Sequence, residues 1–201
     1  MCPLPRQLAA TTIAALLMLF ACGGAHAHAG AETLAGGFWS GFLHPVLGWD
    51  HVIAMIAVGL WGAFLGAPAI WLLPVVFPTV MAFGGALGVA GVPLPGVEEG
   101  IALSAIVLGA MIALAARPAL WIAAVIVGAF AIFHGHAHGT ELPQAANALA
   151  FSAGFVVATG LLHLSGIAFG LLVKWPAGRV AVRVAGGAIA AAGVGFLVGV
   201  I

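Results

Sequence analysis

The sequence predicts an all-α membrane protein, a polytopic bundle of six transmembrane helices behind a cleaved signal peptide. Three observations carry that fold class. Of the 201 residues, 64% are apolar and only 5% charged, with a mean hydropathy of +1.27. A water-soluble domain carries about a quarter charged residues. Apolar runs long enough to cross a bilayer follow one another along the chain, separated by short breaks rich in Gly and Pro. The few charges are sorted by sign between alternate breaks, as multi-pass insertion requires.

Residues 1–27 read as a secretory signal. Arg6 supplies the positive start, Leu8–Phe20 the short apolar stretch, and Ala25-His26-Ala27 an A-x-A cleavage site. Cleavage there makes His28 the mature N-terminus, offering an amine and an imidazole to a metal. Leu19-Phe20-Ala21-Cys22 loosely resembles a lipoprotein cleavage box, but Phe20 fits it poorly. Cys2 and Cys22 both precede Ala27. The mature domain, residues 28–201, then has no thiol, and any metal must be held by imidazole, carboxylate, thioether, backbone or water.

A short polar opening, His28–Gly37, leads to a first helix over Pro45–Leu65. Pro45 suits a first helical turn, where its missing N–H would be unpaired anyway. In a helix that starts there, His51 lies roughly 9 Å below the entry point. His44, Gly48, His51 and Met55 then share one face. Asp50 points about 100° away, placed to meet another helix or to orient an imidazole. The second helix, Pro68–Val89, is interrupted by Pro74 and Pro78. These prolines free backbone carbonyls that need cover from protein or from a water-lined cavity. The loop Gly91–Gly96 leads to Glu98 and Glu99 and to a third helix, Glu99–Ala116. Arg117-Pro118 marks a turn. The fourth helix is Pro118–His138, the fifth Pro143–Val173, and the sixth Val180–Ile201 after the loop Lys174–Arg179.

Six crossings from an external N-terminus put Arg117, Lys174, Arg179 and Arg183 on the cytoplasmic side. The same count puts Glu32, Asp50, Glu98, Glu99 and Glu141 at the outer face, together with His44, His51, His134, His136 and His138. The expected location is therefore a bacterial inner membrane with both mature termini periplasmic. Zero net charge and the lack of a basic patch argue against nucleic acid. No GxxxxGK[ST] phosphate loop occurs, so ATP hydrolysis has no visible machinery. The pairs Gly62/Gly66, Gly84/Gly88, Gly166/Gly170 and Gly195/Gly199 read as close helix packing. The expected partners are the lipid bilayer and a metal ion, and a homo-oligomer stays open.

Ionisable groups at membrane depth are costly and point to function. One cluster is His44-Pro45-Val46-Leu47-Gly48-Trp49-Asp50-His51. The other is Phe133-His134-Gly135-His136-Ala137-His138-Gly139-Thr140-Glu141, in which His134, His138 and Glu141 fall on one helical face. Taken singly, the first has a plain alternative as a helix end whose polar groups snorkel to the headgroups. The second has one as a histidine-rich surface loop. Brought to the same side of the membrane, they form a donor set suited to nickel, cobalt or zinc. Copper(I) prefers sulfur, for which Met55 is one soft partner, and calcium or magnesium calls for more oxygen ligands. His163 lies toward the cytoplasmic end, either as an exit ligand or as a packed histidine bonded to a carbonyl. Two other classes fit less well. A membrane-embedded metal-dependent hydrolase would use Glu98 or Glu141 as base, but no HExxH occurs. A haem or electron-transfer protein would use facing histidines and show a visible absorption spectrum. The sequence thus leads to no catalytic residue and no prosthetic group, and to a transported metal ion.

The residues His44-x5-Asp50-His51, followed by Ile53-Ala54-Met55 and Val58-Gly59, resemble the HupE/UreJ family of nickel/cobalt permeases. FHGHAHGTE is similar to that family's second signature, F-H-G-x-A-H-G-x-E. Val97–Ser104 looks like a third shared block, and the resemblance spans essentially the whole mature chain. It implies secondary uptake of nickel, or of cobalt or another transition metal, across the bacterial inner membrane in support of hydrogenase or urease maturation. By motif match it implies His44, Asp50, His51, Glu98, His134, His138 and Glu141 as metal-site residues. His136 falls at the motif's variable position.

Overall fold

The computed structural model describes residues 34–141 and 147–200. The expected signal peptide, His28, Glu32 and the side chain of Glu141 lie outside the described part. All described secondary structure is helical: α1 Leu34–Leu47, α2 Trp49–Leu65, α3 Ala69–Val89, α4 Val97–Ala113, α5 Leu120–Glu141, α6 Ala148–Gly170 and α7 Pro176–Leu197, with a 3-10 turn at Leu171–Lys174 before α7. Four helices, α3, α5, α6 and α7, are long and apolar enough to cross a membrane, and α1 with α2 makes a fifth if that bent pair is one span. Helix α4 has 17 residues, or about 25 Å at the helical rise.

The expected first helix differs from the observed one. A helix does not begin at Pro45. Pro45 lies in the last turn of α1, which occupies Leu34–Leu47 and so overlaps the expected polar opening at residues 34–37. Gly48 then takes an extended backbone conformation, and α2 starts at Trp49 with its axis turned 81° from α1. Proline denies α1 an N–H and crowds the preceding turn. His44 and Met55 therefore do not lie on one continuous helical face. Met55 is fully buried in the apolar core. In α3 the expected interruption is absent, and the helix runs on through Pro74 and Pro78.

One of its freed carbonyls, that of Pro74, is covered as the sequence requires. Pro78 has no N–H for the carbonyl of Pro74, four residues earlier. His163 of α6 takes that place, hydrogen-bonding the Pro74 backbone, which can only accept.

Lipid is as apolar as leucine, so helices in a membrane associate through close packing and not through the hydrophobic effect. Glycines supply that packing here. A methyl group on Gly135 or Gly139 of α5 would collide with the carbonyl of Met81 or Gly85 of α3, and one on Gly84 or Gly88 with Ile132 or His136 of α5. Gly59 of α2 lies against the His163 carbonyl, and Gly166 and Gly170 of α6 lie against Ile56 and Leu60. Gly41 and Gly154 bring α1 onto the start of α6, and Gly109 and Gly186 join α4 to α7. Two of the four expected GxxxG pairs, Gly84/Gly88 and Gly166/Gly170, thus pack as expected. Gly66 (φ +86°) instead ends α2 in a conformation that disfavours other residues, and Gly199 (φ +69°) does the same after α7. The core between the helices holds Leu60, Trp61 and Phe64 of α2, Leu73, Phe77 and Met81 of α3, and Leu108 and Ile112 of α4.

The two ends of the bundle carry opposite charge. Where α2 and α4 finish, Arg117 stacks over the Phe64 ring at 4.6 Å and Arg183 Nε donates to the Ala113 carbonyl at 2.8 Å. At the opposite end, where α2 and α4 begin, stand Asp50, Glu98 and Glu99.

Candidate metal-ion site

The bend at Gly48 is what assembles the first half of the site. Asp50 and His51 fall in the first turn of α2, where backbone N–H groups lack helical partners. Asp50 Oδ1 accepts from the His51 backbone N–H at 2.9 Å and pairs with His51 Nδ1 at 2.7 Å. A carboxylate there is also favoured by the positive end of the helix dipole. Of the two roles open to Asp50, this contact has the geometry that orienting an imidazole needs. Gly48 leaves room for the pair: a Cβ at that position would sit 3.1 Å from both Asp50 Oδ1 and His51 Nδ1.

Helix α5 supplies the second half. His134 Nδ1 donates to the Phe130 carbonyl one turn earlier, at 3.0 Å. His138 Nδ1 meets His44 Nε2 of α1 at 3.1 Å. The 81° turn therefore keeps His44 and His51 together by folding the chain back, with ring centroids 6.3 Å apart. The His51 ring lies 4.6 Å from that of His138 and 5.6 Å from that of His134, centroid to centroid. Phe155 of α6 packs edge-on to His138 at 4.4 Å, and Phe77 of α3 packs against His134 at 5.3 Å.

One pattern runs through these contacts. His51, His134 and His138 each have Nδ1 engaged, by a carboxylate, a carbonyl and an imidazole respectively. Each Nε2 is buried with no hydrogen-bond partner among the described residues. An imidazole that ligates a metal through one nitrogen commonly gives its other N–H to a carboxylate or carbonyl, which fixes the tautomer and the ring. Buried polar atoms left unpaired are rare and call for a reason. As the side chains stand, no three His, Cys, Asp or Glu groups among the described residues are close enough to share an ion. The rings would have to rotate to close around one.

The remaining expected residues are placed as follows. Glu98 is not among the histidines. With Glu99 and Asp50 it lines a cleft of about 420 Å³ at the head of α2 and α4, walled by Trp49, Ile101 and Phe196. His136 of α5 turns to the loop before α4, its Nε2 donating to the Val92 carbonyl at 2.7 Å. His163 is deeper in the bundle, 2% exposed and in edge contact with Phe77. Residues that the sequence did not single out also matter here. Phe77 touches both His134 and His163. Thr159 is fully buried with an unpaired hydroxyl one turn before His163. Spacing on α6 was the one available signal for Thr159, and nothing in the sequence marked Phe77.

The class of protein follows from fold and site: a helical membrane protein with a buried nest of oriented imidazoles beneath an acidic cleft. The chain matches the HupE / UreJ protein family over residues 15–196. It is 47% identical over 189 residues to "Protein HupE" of Rhizobium leguminosarum bv. viciae, covering 94% of this chain and 96% of that one. It belongs to the HupE/UreJ family. No solved structure matches it.

Proposed function

We propose that this protein is a secondary permease that admits a divalent transition-metal ion, nickel first, through the bacterial inner membrane without ATP. The observation that carries this is the set of three imidazoles, His134 and His138 buried and His51 partly so, each held by Nδ1 with a buried, unpaired Nε2 among the described residues. In this assignment the ion is first gathered by Asp50, Glu98 and Glu99 in the cleft. It then passes to the Nε2 atoms, which rotate onto it. His44 orients His138 as Asp50 orients His51, and Glu141 tunes the mouth. Imidazole and carboxylate donors suit nickel, cobalt and zinc, and the burial of Met55 in the core removes the one thioether noted for copper(I).

The topology belongs to the same proposal. Counting α1–α2 as one bent span and α4 as a short one gives six crossings, with the acidic end periplasmic and the arginines cytoplasmic. Both mature termini are then periplasmic after removal of residues 1–27. Two charges moving down a 100 mV inside-negative potential gain about 4.6 kcal/mol, enough to drive uptake.

The test is nickel flux into proteoliposomes holding an inside-negative potassium diffusion potential. The wild type should accumulate nickel, and His51→Ala and His138→Ala should each lose at least tenfold in rate while remaining monodisperse in detergent. Wild-type vesicles that take up no more nickel than empty ones would dispose of the proposal.

A further inference from the structure

We infer that His163 Nε2 and Thr159 Oγ1 form a second, deeper station for the same cation, partitioned from the outer histidines by the Phe77 ring. The inference rests on the permease function proposed above and extends it to the path inside the bundle.

Three observations meet at this place. First, His163 repeats the pattern of the outer imidazoles. Its ring hydrogen-bonds the Pro74 backbone, and its Nε2 is buried without a partner among the described residues. The proline pair explains one nitrogen: Pro78 orphans the Pro74 carbonyl, and the His163 N–H serves it. That structural duty does not account for the other nitrogen.

Second, Thr159 stands four residues before His163 on α6, on the same helical face. Its hydroxyl is fully buried and has no partner among the described residues. A helical threonine ordinarily bonds back to a carbonyl of the preceding turn. Ser165 on this same helix does so, donating to the Leu162 carbonyl at 2.7 Å. An unpaired oxygen and an unpaired nitrogen, both sealed from solvent and one helical turn apart, make a mixed N/O donor pair of the kind a divalent transition metal accepts.

Third, the Phe77 ring joins His163 to the outer cluster. The Phe77 ring lies 5.3 Å from that of His134 and 5.5 Å from that of His163, at right angles to the latter. Across it, Gly59 of α2 closes directly on the His163 backbone, so the helix that carries Asp50 and His51 also fixes the depth of His163. An ion leaving the outer Nε2 atoms passes one aromatic ring before it meets donors again. A second weak site lets a permeating ion leave the first, as multi-site conduction requires.

The experiment separates binding from passage. His163→Asn retains an N–H near the position of Nδ1 and can still serve the Pro74 carbonyl, but it lacks a donor where Nε2 stood. Thr159→Val keeps the shape and removes the oxygen. Nickel chloride is titrated into each purified protein by calorimetry, and nickel flux is measured in proteoliposomes. Each variant should bind nickel at the outer site within twofold of the wild type while its flux falls at least tenfold. His51→Ala, by contrast, should lose both. Unchanged flux in His163→Asn and Thr159→Val would overturn the second station. So would a parallel loss of binding and flux, which would assign these residues to the outer site or to the fold. A wild-type protein that neither binds nor moves nickel is a different failure, since it removes the permease function itself.

Discussion

Asp50 and His51 are neighbours in sequence that nevertheless bond side chain to side chain, Oδ1 to Nδ1 at 2.7 Å, in the first turn of α2. The carboxylate holds the proton on Nδ1 and so leaves Nε2 as a lone pair, on a ring whose neighbours are those of His134 and His138. Asp50→Asn keeps the size but removes the charge that makes the imidazole a stronger donor. Nickel affinity should fall by about 10- to 100-fold, the usual cost of losing such a partner. Calorimetry on purified protein measures it, and an affinity equal to the wild type would mean that Asp50 serves only the helix end.

Gly48 gives an independent handle on the same pair. Its backbone is extended, a conformation that alanine accepts without strain. The added methyl would press on Asp50 Oδ1 and His51 Nδ1 together, at 3.1 Å from each. Gly48→Ala should therefore leave thermal stability within about 1 kcal/mol of the wild type and still reduce nickel uptake several-fold. A variant that transports normally would show that the pair tolerates displacement.

The acidic cleft should act at long range. Glu98 and Glu99 begin α4 and share the cleft with Asp50. Glu98→Gln should lower the initial rate of nickel uptake several-fold at about 10 mM salt. The difference should shrink toward nothing near 1 M, where screening reaches about 3 Å. A deficit that persists at high salt would make Glu98 a ligand and not a collector.

Two glycines offer opposite outcomes for stability. Gly135 separates His134 from His136 and lies against the Met81 carbonyl, whereas Gly160 of α6 has open space around it. Gly135→Ala should force α3 and α5 apart and cost about 1–3 kcal/mol or more, with uptake lost in step. Gly160→Ala should be neutral or stabilise by up to about 1 kcal/mol, since alanine is the better helix residue. Thermal unfolding in detergent compares the two, and equal effects would refute the packing argument.

Much of this was legible in the sequence. Composition and the spacing of apolar runs led to a helical membrane bundle, and the sorting of charges placed the two histidine clusters at one end. The proline pair in α3 announced an uncovered carbonyl. What escaped was decided by contacts distant in sequence. Pro45 has a local preference for a helix start, yet it lies in the last turn of α1, because α1 docks onto α6 through Gly41 and Gly154 and the chain must turn at Gly48. His136 differs from His134 and His138 in its partner, the Val92 carbonyl of a loop 44 residues away, which spacing on α5 cannot reveal. The carbonyl of Pro74 was foreseeable, but its partner on α6 was not.

The glycine seams between α3 and α5, α2 and α6, and α4 and α7 carry a kinetic consequence. Backbones in direct contact have no compressible layer between them, so these helices resist the rocking by which many carriers expose a site to one side and then the other. What is left to move is side chains, imidazoles and the Phe77 ring. For a permease built on these seams, turnover is set by how quickly the ion sheds and regains its water. Under the proposed permease function such a chain would act as a sieve with fixed walls, and its throughput should differ among metals in the order of their water-exchange rates.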